Sequence, residues 1–465
     1  MRKAIVGVTY LSFFLLAILP AAAQVTTADV AGHVTDPKGL AIVGAKVTVL
    51  NTDTGFLREV TTNDSGDFIV YQIPPGTYKI SISKDGFATK VYDKAQIAVG
   101  EKRTLEASLT LATSSQAMTV EIEVLPLIAT GSSEIQGSVS PVEMSSLPVV
   151  DRNFAGLMTL IPGVRPAENF DPTKTRSGNI SVNGTDGRGV DYTVDGGDNK
   201  DNVIGGIVQN FTMEGIQEFN VVTDRYTAES GRAVGAVVNV ITKSGTNQLH
   251  GSLFGLFQNS GLNAKPFTAG NAPNPKFHRY HYGGSVGGPI KKDKLFFFGA
   301  FEQKREPGDL PVDPTAFSEL TLLSQQPAPF NSWSKPVQQI PFPYIDDLIT
   351  VKSDWRISER QSVYVRYGRE KWTNPNDQLG NPVVADLSQT NGDTNQFHSL
   401  VISHNFVVSP NKINTFAIQF QDFVNAIKAD PGNTFTYPVQ GGGTFTNPNI
   451  CFGVTPGCGQ GKPEI

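Results

Sequence analysis

The stretch from Asn220 to Gly245, NVVTDRYTAESGRAVGAVVNVITKSG, runs almost directly into LHGSLFGLFQ at Leu249–Gln258, and this junction constrains the architecture more than any other part of the chain. Its first half is Gly-punctuated and Val-rich, and AVVNVITK is β-branched or apolar at most positions, which predicts a buried strand closing a small globular unit. Its second half alternates apolar and polar residues, the pattern of a strand with different surroundings on its two faces. From Leu249 onward about seven such strands are expected, clearest in LHGSLFGLFQ, LFFFGAFEQKRE, SVYVRYGREKW, HSLVISHNFVV and KINTFAIQFQDF. In the last, Phe416, Ile418 and Phe420 share one face while Thr415, Gln419 and Gln421 share the other. A membrane barrel needs apolar residues against lipid and polar ones toward the lumen. A soluble sandwich would bury the same apolar face against a second sheet, so alternation alone fits both.

The N-terminus helps to separate them. Arg2 and Lys3 precede an apolar run from Ala4 to Leu19, and Ala21, Ala22 and Ala23 follow before Gln24. This order of basic, apolar and small residues predicts a secretory signal peptide over residues 1–23, cut between Ala23 and Gln24; an uncleaved membrane anchor is the alternative. No other run reaches the roughly 18 apolar residues of a membrane helix. A membrane role must therefore come through strands.

A chain of 465 residues has room for about three domains. Residues 29 to 110 carry the first strand-and-turn rhythm: AGHVTD, AKVTVLN, REVTTND, GDFIVYQI, GTYKISIS and TLEASLTL. Val47 and Val49, and Tyr78, Ile80 and Ile82, place apolar residues on one side of their strands. Asp64-Ser65-Gly66, Pro74-Pro75-Gly76 and Lys84-Asp85-Gly86 supply the turns. A β-sandwich of about seven strands is expected over residues 24–112.

Residues 113–128 read as a linker leading into an extended segment, and residues 129–245 as a small α+β unit. In the latter, Arg152-Asn153-Phe154 opens a short helix, FAGLMTLI, that Pro162-Gly163 ends. Asn183-Gly184 and Asp195-Gly196 predict tight turns between short strands.

Four blocks carry a family resemblance: LPVVDRNFAGLMTLIPGV from Leu147, SVNGTDGRGVDYTVDGGDNKD from Ser181, the junction above, and FHRYHYGGSVGGPIKKDKLFFFGAFE from Phe277. In this order and spacing the chain resembles the TonB-dependent outer-membrane receptors, and within them the Oar-like receptors that carry a carboxypeptidase-regulatory-like domain ahead of the plug. The resemblance implies a mainly β chain in three parts: the N-terminal sandwich, a plug over residues 129–245, and the start of an antiparallel transmembrane barrel over residues 246–465. It places the chain in the outer membrane, with the sandwich and plug on the periplasmic side. It implies import of a small solute, oligosaccharide or peptide by energised displacement of the plug, with the TonB energy-coupling complex and outer-membrane lipid as partners.

Such a receptor needs a TonB box, an exposed strand that pairs edge-on with the coupling protein. Met118, Thr119, Val120, Glu121 and Ile122 are chemically adequate, since backbone pairing asks only for an extended, unpaired segment. The same residues could equally form the first plug strand. Arg152, Glu229 and Arg232 lie in the blocks that match the plug, where the resemblance implies arginines facing barrel-wall carboxylates. They are candidates for anchoring the plug, with an exposed surface charge as the alternative.

No cofactor, metal or catalytic residue is expected. The sandwich resembles the carboxypeptidase-regulatory or starch-binding-like fold, but His33 is its only histidine, and no His/Glu/His set exists to hold a catalytic zinc. The six histidines are scattered, and no G-K-[ST] phosphate loop occurs. Asp191, Asp195, Asp198 and Asp201 lack EF-hand spacing, so turn formation and solvation are the expectation. Nucleic-acid binding would show a basic patch, whereas the net charge is -5 with no long run of either sign. Cys451 and Cys458, in CFGVTPGC, flank a Pro-Gly turn that would let them bond as a surface-loop staple.

The region from Pro307 to Pro343 lacks alternation and predicts a long extracellular loop. A plugged transporter has roughly 22 strands, against the seven expected here. The pattern thus predicts an N-terminal part of a longer protein, with a curved, unclosed sheet after residue 249. A second function stays open: a surface-displayed binding or adhesion protein in which the sandwich, by analogy a carbohydrate binder, does the work and the barrel displays it.

Overall fold

The computed structural model describes residues 26–111, 118–121 and most of 133–446. The expected cleavage site at Ala23 and Gln24, Ile122, Glu229, Cys451 and Cys458 lie outside the described residues.

The N-terminal unit contains β1 (Ala28–Thr35), β2 (Lys46–Asn51), β3 (Leu57–Thr61), β4 (Asp67–Ile73), β5 (Gly76–Ser83), β6 (Lys90–Ile97), β7 (Lys102–Ser108) and β8 (Met118–Glu121). They form two sheets, β4-β1-β7 and β3-β2-β5-β6-β8. Burial alternates along β1, and Val30 and Val34 meet Val47, Val49, Tyr78, Ile80 and Ile82 in one core. The turns form where their chemistry predicts: the Asn63 side chain accepts from the backbone N–H of Ser65 and Asp67 at 2.9 Å each, and Gly66 takes a φ of +79°. The sandwich has one strand more than expected. Met118–Glu121 is neither free nor the first plug strand; it adds to the sandwich sheet, parallel to β6, with Lys90 opposite Met118 and Asp93 opposite Glu121.

The middle unit, called the plug after the resemblance, holds β9 (Ile135–Val139), β10 (Val164–Pro166), β11 (Ile180–Val182), β12 (Val190–Val194), β13 (Gly197–Asp198), β14 (Ile216–Asp224) and β15 (Ala236–Thr242). Its main sheet runs β13-β12-β15-β14-β9. Every residue of β15 is buried, as its near-continuous apolar run predicts, because it lies between parallel β12 and antiparallel β14. The expected helix is Phe154–Met158, capped by the Asn153 side chain, and it stops at Thr159, before Pro162. A further short helix, Pro141–Ser146, starts from a Ser140–Glu143 capping box. Phe154, Met158, Phe211 and Phe219 pack with the sheet's inner faces into a second core.

Beyond the plug, β16 (His250–Asn259), β17 (His278–Lys291), β18 (Leu295–Glu306), β21 (Tyr344–Ser358), β22 (Gln361–Asp377), β23 (Asn391–Ser409) and β24 (Lys412–Ala429) pair in chain order as one antiparallel sheet. Among the described residues this sheet does not close. Its connections alternate in length: two or three residues separate β17 from β18, β21 from β22 and β23 from β24, and long segments separate the others. Outer-membrane barrels place short turns on the periplasmic side and long loops outside. The segment Pro307–Pro343 is not uniformly irregular, because it holds β19 (Asp309–Pro311), the helix Pro314–Ser324 and β20 (Gln339–Pro341), which pairs with β19. Leu320 of that helix is buried, which gives it a packing face. A small hairpin of β25 (Thr436–Pro438) and β26 (Thr444–Thr446) follows.

The two faces of the wall differ as alternation predicts. Leu253, Phe301, Val351, Val365, Phe416, Ile418 and Phe420 are exposed on the outer face. Glu302, Lys304, Glu306, Lys352, Arg366, Glu370 and Ser399 are buried on the inner face.

Candidate functional site at the plug–wall seam

Buried charges need partners, and on the inner face the partners come from the plug. The Asp195-Gly196 turn joins β12 to β13 with φ of +47° and +70°, the left-handed pair that a two-residue hairpin requires. This geometry points the Asp195 carboxylate at the wall. Its Oδ1 accepts from Lys352 Nζ at 3.1 Å and from the Thr242 N–H at 3.0 Å; its Oδ2 accepts from Thr242 Oγ1 at 2.5 Å and lies 3.5 Å from Arg366 Nε. Arg366 also donates to the carbonyl of Val194 at 2.9 Å, and Tyr364 to that of Asp195 at 2.5 Å. Asp354, which interacts electrostatically with Lys352, brings the cluster to two carboxylates and two cations. Asp195 was expected to serve a turn and solvation; it does form the turn, but it is buried and ion-paired to the wall.

Arg152, with φ of +47°, makes a second seam contact. Its guanidinium lies 3.2 Å from Glu214 of the plug and 3.5 Å from Glu302 of β18, and stacks 4.0 Å above the Phe254 ring of β16. Glu302 also accepts from Thr212 Oγ1 at 2.6 Å and pairs with His281. A third contact is made by Asn210, whose backbone N–H and side-chain amide both donate to Glu370, at 2.6 and 2.9 Å. A fourth is reciprocal: the Asp198 N–H donates to Gln419 Oε1 at 2.7 Å, and Gln419 Nε2 donates back to the Asp198 carbonyl at 2.8 Å.

Arg232 differs from Arg152. It pairs with Asp198 at 2.7 Å and with Asn202, both within the plug, and its side chain is 45% exposed. The Asp198 hydrogen bond raises its already high pKa. The expectation that it faces a wall carboxylate is not met, because the acidic cluster of its own domain lies closer. Asp191 of that cluster is buried on β12, and burial lifts its pKa above the ordinary carboxylate value. Among the described residues no group of three or more His, Cys, Asp or Glu side chains could hold a metal ion.

The sandwich sits at the short-turn end of the sheet and touches both other domains. Glu218 of β14 accepts from the Val99 N–H, Asn220 donates to the Val99 carbonyl at 3.2 Å, and Gln217 donates to Pro75 at 3.0 Å. The Asn247 N–H donates to Asp53 at 2.8 Å, Arg356 to Gly55 at 2.6 Å, and Gln72 to Thr415 at 2.7 Å. Burial pushes the Glu218 carboxyl up to about 7, against the opposing pull of the Val99 N–H. A cavity of about 350 Å³ lies where the three domains meet, between Phe56 and Tyr78 of the sandwich, Lys243 of the plug, and Lys352, Asp354 and Tyr364 of the wall.

The signals for these residues were unequal. Arg152 was singled out from its block, whereas Asp195, Asn210, Glu218 and Gln419 were not singled out as contact residues, since each is defined by a partner in a different domain.

Family models match the first and the last of the three units. Residues 29–110 match the carboxypeptidase regulatory-like domain, and residues 241–310 and 309–461 match the outer membrane beta barrel domain. The TonB-dependent transporter Oar of Myxococcus xanthus is 29% identical over 274 residues, covering 55% of this chain and 25% of its own length. Among solved structures, the outer membrane transporter YddB from Escherichia coli superposes with a TM-score of 0.51 at 13% identity, over 67% of this chain and 42% of the other. The ferric enterobactin receptor from Pseudomonas aeruginosa gives 0.46 at 15% identity, over 67% and 44%. The chain thus spans about a quarter of the curated relative and under half of these solved chains. Its matched domains, its relative and its fold agree: the chain is an outer-membrane homologue of the TonB-dependent transporter Oar, with a carboxypeptidase regulatory-like domain ahead of an outer membrane beta barrel domain.

Proposed function

We propose that this chain serves as a TonB-dependent receptor that takes up a solute from outside and admits it when the plug is displaced by pull from the energy-coupling complex. The observation that carries this reading is the seam itself. The plug meets the wall through ion pairs and hydrogen bonds at Asp195, Arg152, Asn210 and Asp198. Polar contacts of this kind hold a plug in register yet can be exchanged for water as it moves, whereas an apolar seam would stay dry.

In this reading Arg152 and Asp195 anchor the resting plug, and Arg232 keeps the Asp198 turn in shape from within. The solute passes by binding and displacement, with no covalent step. Met118–Ile122 is the coupling segment, which would pair with the partner by strand addition.

The test is a deletion of residues 114–124 in the full chain, followed by capture of the purified periplasmic domain of TonB. Loss of capture, with display at the cell surface intact, is the expected result. Capture that survives the deletion would remove these residues from the coupling role.

A further inference from the structure

The sheet order β3-β2-β5-β6-β8 leaves β8 at an edge, and its only named neighbour among the described residues is β6. The Ala88 N–H donates to the Thr110 carbonyl at 2.8 Å, and Phe87 bridges Leu111, so the exit from the sandwich already runs beside the start of β6. Four rungs then follow, from Lys90 opposite Met118 to Asp93 opposite Glu121.

We propose that the outer edge of β6 is a strand-accepting surface whose resident occupant is Met118–Glu121, so that β6 and the coupling partner compete for the same backbone. This rests on the reading of Met118–Ile122 as the coupling segment. A strand offers two edges, but a partner that draws it away along its length must break its ladder to β6. Two features make that ladder exchangeable. It is parallel and only four residues long, the weaker kind of pairing. The sandwich is itself held to the plug and wall through Val99, Asp53 and Gly55, so it resists the pull that strips β8 away. The domain thereby acts as a keeper of the coupling strand, lowering its affinity for the partner until the ladder opens.

The rung spacing permits a direct test. Neighbouring strands lie about 4.8 Å apart, within the Cα separation of about 4.4–6.8 Å that a disulfide spans. The full chain carrying Asp93→Cys and Glu121→Cys should form this link on oxidation, identified by peptide mass so that it is distinguished from any involving Cys451 or Cys458. The oxidised protein should bind the periplasmic domain of TonB at least about tenfold more weakly than the same protein after reduction. In the unmutated chain, adding that domain should speed hydrogen exchange of the Lys90–Asp93 amides.

Equal binding by the oxidised and reduced forms, or unchanged exchange at Lys90–Asp93 with the partner bound, overturns the proposal. Failure of the cysteines to link, while the reduced chain still binds, removes the pairing and leaves the coupling reading standing. A link that forms in a chain no form of which binds the domain shows instead that the coupling reading has failed, and the competition falls with it.

Discussion

Asp195 of the plug and Lys352 of the wall are 3.1 Å apart, with side chains only 2% and 6% exposed, and Arg366 stands 3.5 Å from the same carboxylate. Asp195 of the plug and Asp354 of the wall thus face two wall cations in a buried cluster. Breaking such an arrangement from one side costs far more than the pair contributes over a hydrophobic replacement, because the orphaned charges stay buried.

Asp195→Ala should accordingly destabilise the plug in the barrel by about 3–5 kcal/mol. Thermal unfolding in detergent and protease sensitivity of the plug measure this. A shift no larger than that of a surface substitution would mean that Lys352 and Arg366 find other partners.

Arg152→Ala and Arg232→Ala should separate clearly. Arg152 is largely buried and touches Glu214, Glu302 and Phe254, so its loss should cost on the order of 2–4 kcal/mol. Arg232 is 45% exposed and bonded within its own domain, so its loss should cost under about 1 kcal/mol. Equal melting shifts for the two variants would contradict this ranking.

Glu218 gives the sandwich–plug contact a pH dependence. Its folded-state pKa, raised to about 7 from 4.5 by burial, lies above the unfolded value. Between these limits the folded protein holds the extra proton, so stability is full below about pH 4.5 and falls as pH rises through about 7. The loss is on the order of 1–3 kcal/mol. Melting curves at pH 5 and pH 8 should differ by that amount, and Glu218→Gln, which keeps the acceptor for Val99, should flatten the difference.

Gly245 joins the last plug strand to the first wall strand at a place with no room for a side chain. A Cβ there would lie 2.3 Å from the Phe297 carbonyl oxygen and 2.6 Å from that of Gly288. Gly245→Ala should push the junction away from β17 and β18 and lower the yield of folded protein, scored by resistance to proteolysis. A variant as resistant as the parent would show that the two backbones can separate at little cost.

Most of the strands were legible because their signals are local. Alternation in Leu295–Glu306 and Lys412–Phe423 repeats every second residue, and Asn63, Gly66 and the Asp195-Gly196 pair carry their turn chemistry within a few positions. The Pro141–Ser146 helix also had a local mark, Ser140 and Glu143 around Pro141, which strand-rich surroundings conceal. The site was legible only in part. Asp195 meets Lys352 across 157 positions and Gln72 meets Thr415 across 343, and no local pattern encodes such a meeting. The placement of Met118–Glu121 beside β6 belongs to the same class, since four residues in parallel pairing announce nothing about their neighbour.

The order β13-β12-β15-β14-β9 gives the plug a mechanical direction. Its edge strand β9 is the one nearest in sequence to β8, where the proposed pull is applied, while β15 sits at the centre and passes through Gly245 into the wall. Under the proposed pull, load from the N-terminal side would reach β9 before β14, whereas β15 is continuous with the wall through Gly245. A plug built in this order yields a strand at a time from its free margin, and its fixed centre remains as the template on which the released strands can pair again.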